Sequence, residues 1–110
     1  PLYISENKKG GFMRVLVIDD YKENYSGDKI ARSASEGLDA LFNDGPWDRL
    51  YLDYDLDDEY ERTGLTIIEI LQSKPEYAPK EIIPISSDSE ANLIMTQAIQ
   101  EIKLIKNKGE

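Results

Sequence analysis

Two stretches constrain what this chain can fold into: Val15-Leu16-Val17-Ile18-Asp19-Asp20 and Leu50-Tyr51-Leu52-Asp53-Tyr54-Asp55. The first opens with four apolar residues, β-branched except for Leu16, a run too short for a helix and suited to a strand buried on both faces. Each stretch then breaks into carboxylates. In an open parallel sheet the carboxyl ends of neighbouring strands share one crevice, and ligands bind there. Two such strands side by side would carry Asp19, Asp20, Asp53 and Asp55 to one rim.

The rest of the chain supplies the partners such strands need. Pro1, consistent with removal of an initiating Met, begins an arm up to residue 13, in which Leu2–Ser5 reads as a short edge strand or a loose lead-in. Asn7-Lys8-Lys9-Gly10-Gly11 reads as a turn, because Gly supplies the positive φ that turns require. Tyr21 to Asp28 has no apolar stripe and is expected as mostly loop, with room for one helical turn, followed by a weak second strand at Lys29–Arg32. Ser33 and Glu36 have capping-box spacing, which predicts a helix with Leu38, Leu41 and Phe42 on one face, stopped by Gly45-Pro46. A third strand is expected over Arg49–Tyr54, with Trp47 before it packing over a helix end.

An acidic loop, Asp55 to Thr63, separates that strand from a helix opened by Thr63 and Gly64 and running to Ser73. The fourth strand is expected over Glu81–Ser86. Pro84 deletes one ladder donor there and predicts an edge or bulged strand. In the last helix Leu93, Ile94 and Ile102 are expected to face inward, while Met95, Ile99 and Leu104 would form a second stripe suited to a homodimer. Alternation of strands and helices predicts an α/β domain over residues 14–110, with a mainly parallel four-stranded sheet and helices on both faces.

Composition narrows the chemistry. Cysteine and histidine are both absent from the 110 residues, which removes thiolate and imidazole catalysis and the commonest transition-metal ligands. The chain has no apolar run long enough to span a membrane and no secretory signal, and a cytoplasmic location is expected. With 22 acids against 13 bases the formal charge is −9, which opposes binding to a nucleic-acid backbone. Six of the nine residues from Asp53 to Glu61 are acidic. Hard divalent cations such as Mg²⁺ or Mn²⁺ prefer oxygen ligands. Carboxylates crowded at one rim raise one another's pKa unless a cation joins them. Asp19, Asp20, Asp53 and Asp55 are therefore candidate metal ligands.

Val15 to Asp20, Leu50 to Asp55 and Ile82-Ile83-Pro84-Ile85-Ser86-Ser87 resemble the receiver domains of two-component signalling, which have a flavodoxin-like fold. The resemblance implies that Asp19 and Asp20 hold Mg²⁺, that Asp53 is the reacting carboxylate, and that Ser86 or Ser87 contacts a phosphoryl group. A fifth strand bearing a lysine is expected to be missing. With the compressed first crossover, Ser33 to Leu41, Trp47-Asp48, Leu52 to Leu56, Gly64 and Ser87, the chain more closely resembles the cyclic-phosphate-processing receiver-like domains. That likeness implies a stand-alone domain that binds or processes a cyclic phosphate compound, a metal-dependent phosphoesterase in its enzymatic form.

Members of that family carry His where this chain has Tyr54 and Ser86. A bound ion can still activate water, with Ser86 or Ser87 donating to a phosphate oxygen. Two other readings belong beside this one: a non-catalytic acidic module for a basic protein partner, and a phosphoacceptor regulator. Arg62 is expected to offset Asp57, Asp58, Glu59 and Glu61, and Lys22 either to approach the crevice or to face water.

Overall fold

The computed structural model describes residues 7–8, 11–20 and 26–108. The edge strand expected at Leu2–Ser5 and the position of Lys22 lie outside those residues. Asn7–Lys8 (β1) and Gly11–Phe12 (β2) form an antiparallel pair flanking the expected turn. Val15–Ile18 (β3), Lys29–Ala31 (β4), Arg49–Leu52 (β5) and Glu81–Pro84 (β6) form one sheet in the order β4-β3-β5-β6, every pair parallel. Ala34–Asn43 (α1), Gly64–Ser73 (α2) and Ser89–Lys108 (α3) are its helices, and a 3₁₀ turn at Pro75–Tyr77 follows α2. This is the receiver-like layout expected, with no fifth strand in the sheet among the described residues.

Carboxylates fix where β3 begins. Its first amide, Val15, donates to Asp28 Oδ2 at 2.7 Å, and the amide of Arg14 donates to Asp48 Oδ2 at 2.8 Å. Asp28 precedes β4 and Asp48 precedes β5, so both neighbours are held in register with β3 from the same end. All four β3 side chains are buried. Leu16 and Ile18 join Leu50 and Leu52 under Leu41 of α1, Ile67, Ile68 and Leu71 of α2, and Met95, Ile99 and Ile102 of α3. Fully burying each such side chain stabilises the fold by roughly 1.5–3 kcal/mol, and this layer dominates the core.

Val15, Val17 and Tyr51 form a smaller cluster on the opposite face, with Met13, Ile30, Ile83 and Ile85 against it and no helical residue in it. Among the described residues the helices therefore lie on one face rather than on both, as had been expected. Handedness explains this. Right-handed crossovers that move the chain from β4 to β5 and from β5 to β6 put α1 and α2 on the same side. The one connection running the other way, from β3 to β4, has no helix among its described residues.

The inward face of α3 also differs from the expectation. Met95 is fully buried and Ile99 is 6% exposed, whereas Leu93 and Ile94 are 57% and 46% exposed. Met95 and Ile99 belong to the core, so the proposed homodimer stripe loses two of its three members.

Local capping follows the sequence closely. Ser33 Oγ accepts from the Glu36 amide, and Thr63 and Thr66 cap α2 reciprocally. Trp47 is 3% exposed and donates through Nε1 to the Ala40 carbonyl, beneath the end of α1. Arg14 lies over its ring at 3.9 Å. No helix of the described residues is long and apolar enough to cross a membrane.

Candidate metal centre

The sheet order changes direction at β3 and β5, and the carboxyl ends of these strands form the switch point where ligands bind in such sheets. Ile18 and Leu52 are register partners, so the next residues, Asp19 and Asp53, stand side by side at the rim. Their backbones are pinned: Asp53 N–H donates to the Ile18 carbonyl at 2.9 Å, and Asp19 N–H donates to the Ala31 carbonyl at 3.0 Å. The third strand is shorter than expected because the chain turns after Asp53. Asp53 Oδ1 accepts from the Tyr54 amide, and the Tyr54 carbonyl accepts from Gly64.

Asp19, Asp20 and Asp53 each offer a carboxylate oxygen, and these atoms all lie within 4.8 Å of one another. Asp19 is 3% exposed, Asp53 is half-buried and Asp20 is exposed. Burial pushes the Asp53 carboxyl up to about 7, helped by a hydrogen bond with Asp19 and by the charges of Asp19 and Asp20. Asp20 is raised by burial and by the charge of Asp19, with smaller contributions from Asp55 and Asp57.

Hard oxygen donors converging in this way fit Mg²⁺ or Mn²⁺. At bond lengths of about 2.0–2.1 Å, oxygens around an octahedral ion lie roughly 3–4 Å apart. Part of what raises Asp53 is the charge of Asp19 and Asp20, and a cation would offset that repulsion. Asp55, the fourth expected ligand, is exposed and stands outside the group, acting on it only through its charge at Asp20.

The register also brings the end of β6 to this rim, with the Ile85 amide on the Leu52 carbonyl at 2.9 Å. Ser86 is 8% exposed and Ser87 is exposed. The Ser86 amide donates to Asn92 Oδ1, its carbonyl accepts from Asn92 Nδ2, and its Oγ accepts from the Asp88 amide. The Ser86 hydroxyl proton is thus left to donate, at a position held by α3. Tyr54, partly buried, packs its side chain against the main core.

The acidic loop is tied down rather than open. Asp58 Oδ2 accepts from the amides of Tyr60 and Arg62 and from Arg62 Nε, while its Oδ1 accepts from Arg62 Nη2. This pulls the Asp58 carboxyl down to about 2, the guanidinium bond being the main cause. Arg62 also donates to Ser35 Oγ at 2.6 Å, joining the loop to the start of α1. Arg62 thus offsets Asp58 as expected.

Sequence reasoning passed over Arg32, which follows β4 and donates through Nη1 to the Asp19 carbonyl at 3.0 Å. Its place at the end of the weak strand expected over Lys29–Arg32 was the available signal, but nothing local to the sequence says that this strand lies beside β3. Gly64 was noted only as a helix opener. A Cβ there would run into the Asp53 carbonyl oxygen and lie 3.1 Å from Met95 Sδ.

Comparison with protein-family models matches residues 14–101 to the cyclic-phosphate processing receiver domain. No curated protein and no solved structure gave a match.

Proposed function

The chain belongs to the cyclic-phosphate processing receiver domain family, and from that premise we propose that it holds Mg²⁺ or Mn²⁺ at its rim and binds a cyclic phosphate ester there. The observation that carries this reading is the convergence of the Asp19, Asp20 and Asp53 oxygens within 4.8 Å. Asp19 and Asp53, fixed by sheet hydrogen bonds, would be the rigid ligands, and exposed Asp20 the one free to adjust. An ion bound there would polarise a phosphoryl oxygen and lower the pKa of a water ligand.

The protein's own part is to orient the ester. Ser86 and Ser87, on the neighbouring strand end, would donate hydroxyl protons to phosphate oxygens. With no imidazole in the chain, any turnover would depend on the ion to activate water. Asp53, negatively charged only when deprotonated and raised to about 7, makes metal binding a competition with protons.

The test is direct. Mn²⁺ or Mg²⁺ titrated into metal-free protein should raise Tm, and Asp53→Asn should abolish the rise. Calorimetry of the Mn²⁺-loaded protein with a nucleoside cyclic phosphate should then show saturable binding, and product analysis of the same mixture reads turnover. A Tm indifferent to either cation overturns the reading.

A further inference from the structure

We propose that Arg32 is the side chain that grips the phosphate at this rim, an assignment that rests on the cation and phosphate reading above and adds a residue to it. Each of the other three arginines has a carboxylate partner: Arg14 with Asp44, Arg49 with Glu81 and Arg62 with Asp58. Arg32 has none among the described residues. Its guanidinium uses one N–H on the Asp19 carbonyl at 3.0 Å. No buried side-chain nitrogen lacks a partner, so its remaining N–H groups face water.

The acids nearest in sequence, Asp28 and Glu36, are otherwise engaged, Asp28 Oδ2 by the Val15 amide. Glu36 Oε1 accepts from the Arg32 backbone amide at 2.6 Å and so closes the start of α1. Arg32 is half-buried and follows Ala31, whose carbonyl accepts from the Asp19 amide. A guanidinium is thereby tethered to the backbone of a candidate metal ligand, next to the rim. Asp19, Asp20, Asp53, Asp55 and Asp57 give that rim an excess of negative charge that would repel a phosphate. A bound cation offsets part of it. A planar fork of N–H donors supplies the remainder, and its geometry matches two phosphate oxygens at once.

Arg32→Gln keeps an N–H for the Asp19 carbonyl and removes the charge and the fork. Calorimetry would compare wild type and Arg32→Gln, first with Mn²⁺ alone, then as Mn²⁺-loaded proteins with inorganic phosphate and with cyclic AMP. Mn²⁺ should bind the variant as tightly as wild type or more so, because a neighbouring positive charge is gone; this also shows that the variant is folded. Both anions should bind it roughly tenfold to a hundredfold more weakly, the scale of lost charge-assisted hydrogen bonds. Arg32→Lys, restoring charge without the fork, should recover part of the loss. If the variant binds both anions as wild type does, the Arg32 assignment falls while the metal and phosphate reading stands. If wild-type protein takes up no Mn²⁺, or takes it up and binds neither anion, both fall together.

Discussion

Gly64 lies against the backbone of Asp53, so close that a Cβ would collide with the Asp53 carbonyl oxygen. The first turn of α2 is therefore seated directly on the residue at the centre of the acidic cluster, and Gly64 N–H holds the next carbonyl, Tyr54, at 2.8 Å. Gly64→Ala should cost about 1–3 kcal/mol, the usual range for overpacking a filled site. It should also weaken Mn²⁺ binding by displacing Asp53. Gly37→Ala is the control. There the obstacle is the Cδ1 tip of Ile18 at 2.6 Å, a side chain rather than a backbone, and Ala gains about 1 kcal/mol in helix propensity. Denaturant unfolding should rank Gly64→Ala well below Gly37→Ala in stability, and equal losses would show that the Asp53 contact is not the constraint.

The pH dependence of stability has a sign that the acids fix. Asp53 lies at about 7 in the fold against about 3.9 in an unfolded chain. Between those values the folded state keeps a proton that the unfolded state has released. The stability this group contributes is complete below about 4 and is lost as pH rises through about 7. Asp58, at about 2 in the fold, works oppositely: its contribution is present above about 3.9 and disappears as pH falls toward 2. Metal-free Tm should therefore decline toward pH 8 in wild type and decline less in Asp53→Asn, which should be the more stable of the two at that pH. Saturating Mn²⁺ should flatten the wild-type profile alone. Scanning calorimetry across pH, with and without cation, checks all three outcomes.

The features legible in the sequence were those dictated by local chemistry. Val15–Ile18 and Leu50–Leu52 show themselves as apolar runs ending in aspartate, Ser33 and Thr63 as caps, and Pro84 as an edge residue. What was misread depends on partners distant in the chain. In α3, apolar residues occur at nearly every rotation, and Leu93 or Met95 could equally have faced inward; it is Met95 that enters the core, beside Gly64 at the start of α2. The one-sided helix layer depends on which crossovers carry helices among the described residues, a matter of strand order. Arg32 escaped notice because its significance comes from β3, thirteen residues earlier at Asp19.

The loop between β5 and α2 is held by one carboxylate. Asp58, with its side chain 1% exposed, gathers two backbone amides and the Arg62 guanidinium, and it closes a turn in which Glu61 takes a φ of 59°. A non-glycine residue in that region persists only when its surroundings enforce it. Asp58→Ala should release the Tyr60 and Arg62 amides to rapid hydrogen exchange while the Leu50–Leu52 amides keep their protection. Unchanged exchange at Tyr60 and Arg62 would mean that other contacts hold the loop.

The outer edge of β6 is blunted at two positions, 84 and 86. Glu81 N–H bonds the Asp48 carbonyl and Ile85 N–H bonds the Leu52 carbonyl, so the odd-numbered amides of this strand point toward β5 and the even-numbered ones point outward. At the outward position 84 proline has no N–H to offer. At 86 the amide and carbonyl are both taken by the Asn92 side chain, at 2.9 and 2.7 Å. An open parallel edge would otherwise be a template for a strand from another molecule. Asn92→Ala should cost about 1–3 kcal/mol by leaving the Ser86 groups without partners. Pro84→Thr combined with Asn92→Ala should self-associate more strongly than wild type in sedimentation velocity, increasingly so with concentration. A double variant that sediments as wild type does throughout would mean that something other than Pro84 and Asn92 protects this edge.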